Sequence, residues 1–93
     1  MSHTQTDTLE LIDVALKESH QLLLYNDDVN TFDHVIESLM NVCRHEPMQA
    51  EQCAHIVHFA GKCSVKTGEF EKLEPMCVAL LDRGLSAAIE ELV

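Results

Sequence analysis

A chain of 93 residues holds one small domain and has little room for a second. Its formal charge of −10, with only six Lys and Arg, argues against nucleic acid and anionic membranes and favours a basic surface or a cationic ligand. No run of 18 apolar residues and no basic block followed by an apolar one occurs, so neither a spanning helix nor a secretory signal is expected, and the chain reads as cytoplasmic.

Residues 1–19 are polar and acidic, with no firm apolar period. They read as a flexible extension ahead of a domain over residues 20–93. Gln21-Leu22-Leu23-Leu24-Tyr25 is a short apolar run that suits a buried strand. Asn26-Asp27-Asp28 ends it. Asn30 or Thr31 can cap the helix that follows, with Asp33 favourably placed in its first turn. Phe32, Val35, Ile36, Leu39, Met40 and Cys43 recur at helical spacing up to Arg44-His45. Pro47 suits the first position of a second helix, whose stripe is Ala50, Cys53, Ala54 and Val57 and whose stop is Gly61.

Cys63 to Thr67 reads as a strand, with Gly68 as its turn. Leu73, Met76, Cys77, Leu80 and Leu81 give a third helix, with Gly84 just past its end. Ser86 to Leu92 reads as a last strand, although its Ala87-Ala88-Ile89-Glu90-Glu91 pattern also fits a helix. The order β-α-α-β-α-β predicts an α+β layer fold, three helices packed on a three-stranded antiparallel sheet. Hydrophobic content of 46% with four aromatic rings means an aliphatic core. The four cysteines, Cys43, Cys53, Cys63 and Cys77, form no CxxC pair and read as reduced, buried thiols.

Two features stand out chemically. The Asn26-Asp27-Asp28 corner concentrates acceptors between a strand end and a helix start. Such residues are ordinary turn formers, because their side chains bond nearby backbone groups. They also suit capture of a cation, where pairing and hydrogen bonds offset desolvation. Val35, Ile36 and Val57 supply an apolar wall for a ligand with one positive and one hydrophobic end. His58 flanks the apolar stripe beside Ala54, either as a rim histidine or as an imidazole that accepts a hydrogen bond from an amine. Glu51, His55 and His58 lie on one side of the same helix, but without HExxH or a CxxC pair no metal is expected. With no Gly-rich phosphate loop, no GxSxG and buried thiols, neither an enzyme nor a cofactor is expected.

The run Tyr25-Asn26-Asp27-Asp28-Val29-Asn30-Thr31-Phe32-Asp33-His34-Val35-Ile36 resembles the signature of the ClpS family. The likeness continues through Ala50-Glu51-Gln52-Cys53-Ala54-His55-Ile56-Val57-His58 and Gly61-Lys62, and covers residues 21–92. It implies an adaptor with a ClpS-like fold, of the same element order. Such an adaptor binds proteins with N-terminal Phe, Tyr, Trp or Leu (N-degrons) and hands them to a Clp-family AAA+ unfoldase working with the ClpP peptidase. The resemblance assigns the α-amino group to Asn26, Asp27 and His58, with Asp28 in support. It assigns the side-chain pocket to Asn30, Phe32, Val35, Ala54 and Val57. Asn30 and Phe32 stand where many members carry threonine and methionine. Ala54 replaces a methionine whose bulk excludes β-branched side chains, so Ile or Val is expected to enter unless Phe32 or Cys53 refills the space. Docking to the N-domain of the unfoldase is assigned to a surface at the start of the third helix that includes Glu71. Met76 there replaces a lysine used by some members. A monomer is expected. The competing expectation is a docking domain of related fold, like the C-terminal domain of the ribosomal stalk protein, which needs no amine site.

A free α-amine titrates at roughly 7.7–8.0 and a free imidazole at about 6.5. Binding that needs a protonated amine and a neutral imidazole is therefore expected to be strongest near neutral pH and to weaken toward pH 5.

Overall fold

The computed structural model describes residues 18–92. Its elements are β1 (His20–Tyr25), α1 (Phe32–Cys43), α2 (Pro47–Ala60), β2 (Lys62–Gly68), α3 (Phe70–Asp82) and β3 (Ser86–Glu91). The order is the one expected from the apolar periods. Residues 1–17 of the expected extension lie outside the described part; the carbonyl of Ser19 accepts a hydrogen bond from Leu92 N at 2.9 Å.

The sheet runs β2-β1-β3 with both pairings antiparallel. β1 is central, and its Leu22-Leu23-Leu24 run is buried throughout, Leu23 lying outside the core cluster that holds its two neighbours. Leu22 and Leu24 face the helices at 0% and 1% exposure. Leu39 and Cys43 of α1, Leu73 and Leu80 of α3, and Val65 of β2 close the core around them. Burying each Leu contributes roughly 1.5–3 kcal/mol. All four cysteines are free and buried. Leu81, one of the apolar positions that mark α3, is 49% exposed and lies outside the core cluster.

Three local devices fix the geometry around the sheet. Thr31, not Asn30, caps α1, accepting from His34 N at 3.1 Å. β1 pairs Leu22 with Lys66 and Leu23 with Ser64, so Val65 is an extra residue bulged from the ladder. Its carbonyl takes a hydrogen bond from buried His45 Nε2 at 2.7 Å instead. α3 ends with Gly84 at φ +85°, Gly84 N donating to Leu81 O and Leu85 N to Leu80 O, while buried Leu85 and Leu80 supply the apolar contact.

Candidate functional site

The loop after β1, the first turns of α1 and the last turns of α2 meet at one end of the sheet. Asn26 N donates to Gly61 O at 2.9 Å, which holds the start of the loop against the end of α2. Between them lies a cavity of about 370 Å³. Its polar lining is Asn26, Asp27, Asp28, Asn30 and His58, and its apolar lining is Phe32, Val35, Ala54 and Val57; Ile36, expected in the apolar wall, is not part of it and packs against the core instead. The volume is near the lower bound for ligand pockets and suits a single side chain with its attached amine better than a larger molecule.

Asp27 organises the loop. Its Oδ1 accepts from Val29 N at 2.9 Å and from Asn30 N at 2.7 Å, and its Oδ2 accepts from Asn30 Nδ2 at 2.8 Å. A carboxylate offers about four acceptor positions, so one remains for an incoming donor. The Asn30 backbone N–H is the main cause that holds this carboxyl below its ordinary value. Partial burial opposes it, and the other two hydrogen bonds and nearby His34 reinforce it. Asp27 therefore stays charged well below neutral pH. Asp28 is exposed at the edge of the cavity.

Asn30 does more than line the wall. Its Nδ2 also donates to Gly84 O at 2.8 Å, and His34 Nε2 is 2.9 Å from Arg83 O. These bonds tie the acidic loop and α1 to the turn between α3 and β3. The Asp27–Asn30 spacing of three was a legible turn signal. Its partner Gly84, 54 residues away, was not.

Ala54 is buried against the cavity, whereas neighbouring Cys53 faces the core. Phe32 reaches across the mouth, its ring 4.7 Å from that of His55 and 6.3 Å from that of His58. His58 is exposed, with one side on the cavity. Glu51 and His55 approach to 3.9 Å, but His55 spends its faces on Phe32 and Phe59. Among the described residues no three His, Cys, Asp or Glu side chains come together to hold a metal. Glu71 is exposed in the first turn of α3, outside the lining of the cavity. Among the described residues no helix is long and apolar enough to cross a membrane. The ring row through His55 to Phe59 was not anticipated, although two rings four apart on a helix are a visible pattern.

Comparison with known proteins matches residues 15–88 to the family described as ATP-dependent Clp protease adaptor protein ClpS. A ClpS adapter from Campylobacter jejuni strain RM1221 is 32% identical over 93 residues, covering 94% of this chain and 97% of the relative. The ClpS adapter of C. jejuni strain 81-176 is 36% identical over 67 residues, 70% of each chain. The structure of Agrobacterium tumefaciens ClpS2 bound to L-phenylalaninamide superposes with a TM-score of 0.77 at 21% identity, covering 82% of this chain and 99% of that one. That likeness establishes the ClpS-like fold.

Proposed function

The chain belongs to the ClpS family of ATP-dependent Clp protease adaptors, and from this we propose that it binds the free N-termini of proteins beginning with a hydrophobic residue and delivers them to a Clp unfoldase. The observation that carries the reading is the convergence of nine residues from two separate stretches of sequence on one cavity with a charged and an apolar lining. In this reading the α-ammonium donates to Asp27 Oδ2, the Asn26 side-chain oxygen and a His58 ring nitrogen, with Asp28 adding negative potential. The N-terminal side chain packs on Val35, Ala54, Val57 and Phe32, and Asn30 holds the loop in place. No bond is made or broken, so the protein acts as an adaptor and not as a catalyst, and it works as a monomer in the cytoplasm.

The magnitudes support such recognition. Burying a Leu or Phe side chain contributes roughly 1.5–3 kcal/mol, and each hydrogen bond to a charged group roughly 1.5–3 kcal/mol. After the cost of association, this allows micromolar binding at about −8 kcal/mol. Acetylation of the amine would remove its charge and leave Asp27 facing an uncharged amide. Hand-over would use the exposed start of α3, where Glu71 lies, against the N-domain of the unfoldase.

Fluorescence anisotropy with matched peptides beginning Leu, Phe, acetyl-Leu and Arg tests the proposal. Micromolar or tighter binding of Leu and Phe, lost on acetylation, is expected. No binding of any of the four overturns it and leaves a docking domain with no amine site.

A further inference from the structure

A row of four rings leads away from the cavity over the outer side of α2. Phe32 and His58 stand at the mouth, edge to face with centroids 6.3 Å apart. His55 packs on Phe32 at 4.7 Å. Phe59 packs edge-on against His58 at 5.0 Å and lies nearly parallel to His55, with their centroids 6.3 Å apart. Helical spacing puts positions 55, 58 and 59 on neighbouring strips of one side, which is why the row is continuous. It ends on Phe59, which is 80% exposed. Phe59 lies outside the core cluster, and its ring partners His55 and His58 are themselves exposed. A solitary exposed ring would need no explanation, but one joined through His58 to a ligand cavity extends that cavity's surface.

We propose that the ring row His55–Phe59 is a second subsite that takes an aromatic or bulky apolar side chain at the second or third residue of the bound chain. This rests on the N-degron reading above. If the first residue occupies the cavity, the rest of the chain leaves across its mouth. An extended chain advances about 3.3 Å per residue, so its second and third residues pass rings spaced at these distances. The exposed end of the row is the hydrocarbon ring of Phe59, whose area and ring faces suit an aromatic or bulky apolar side chain. Offset or edge-on ring pairs are worth enough to change affinity by about threefold to tenfold. His58 thereby has two faces in use, a nitrogen toward the amine and a ring edge toward the downstream residues.

The test uses the full chain and three fluorescent peptides that differ only behind an N-terminal Leu: Leu-Gly-Gly, Leu-Trp-Gly and Leu-Gly-Trp. At least one Trp peptide is expected to bind about threefold to tenfold more tightly than Leu-Gly-Gly. In Phe59→Ala that advantage is expected to shrink below about twofold. Because Phe59 is largely exposed near the end of a helix, its removal leaves the core intact. His55→Ala provides a second, independent removal of the row and should shrink the advantage in the same direction. Equal affinity for all three peptides overturns the subsite, as does an advantage that survives both substitutions. Failure of all three to bind overturns the N-degron reading itself, and the subsite with it.

Discussion

In the proposed reading Asp27 serves two purposes with one carboxylate. Three of its acceptor positions hold the loop, and the residue lines the cavity, where the fourth would take the ammonium. Asp27→Asn keeps the size and removes the charge, so affinity for a Leu peptide should fall about tenfold to a hundredfold in anisotropy titrations, the worth of one charge-assisted bond. The pH response separates this group from His58. The folded carboxyl lies below its ordinary value. Its contribution to stability is thus complete above the unfolded value of about 4 and is lost only as pH falls through the lower folded one. Asp27 stays ionised across pH 7.5 to 5, so it does not itself weaken binding in that window. His58→Asn should flatten the profile, and an unchanged profile in that variant would remove His58 from the acceptor role. Ala54 lines the cavity as a small buried residue. Cys53 faces the core and does not refill the space, whereas Phe32 shares the wall but engages His55. Comparison of Leu- and Ile-initiated peptides should show Ile accepted within about tenfold of Leu, and Ala54→Met should weaken Ile selectively. A hundredfold preference for Leu in the unaltered protein would sink this.

At the scale of elements, the bulge at Val65 and the buried ring of His45 form one unit. The extra residue turns its carbonyl out of the ladder, and His45 Nε2 supplies the missing donor. Nδ1 of the same ring has no partner among the described residues. His45→Ala should destabilise the fold by about 1–3 kcal/mol, since it leaves a buried carbonyl unpaired. A shifted urea midpoint with an unchanged slope would measure this, and a shift below about 0.5 kcal/mol would mean that water replaces the ring. Helix starts and stops were legible because their signals are local: Pro47 opens α2, Gly61 ends it at φ +92°, and Gly84 follows α3. The bulge was not legible, because it depends on register against β1. The last segment shows the same limit. Its Ala-rich pattern suits helix or strand, and pairing Ile89 with Leu22 and Ala87 with Leu24 makes it β3.

Across the whole molecule, the thiols report how tightly the domain is closed. Burial pushes Cys43 and Cys63 up to about 11, so at neutral pH almost none is thiolate. A thiol reagent at pH 7.5 should modify the native protein only as fast as it opens, and the urea-unfolded chain at once; rapid labelling of all four cysteines in the native state would contradict their burial. The net charge of −10 acts at this scale too, favouring a cationic terminus over an anionic one. By itself the sequence determined the element order up to its last segment, the aliphatic core and the acidic corner of the cavity, because apolar period, capping residues and the Asn26-Asp27-Asp28 run are encoded within a few positions of one another, whereas Asn30, Phe32 and Ala54 were legible as lining only through the resemblance to the ClpS family. Only the tertiary structure decided which of Asn30 and Thr31 caps α1, that Asn30 bridges to Gly84, and that a ring row leads from the cavity to Phe59. Those outcomes depend on contacts between segments far apart in the chain, and on which side of a helix the sheet leaves uncovered, neither of which a local pattern carries.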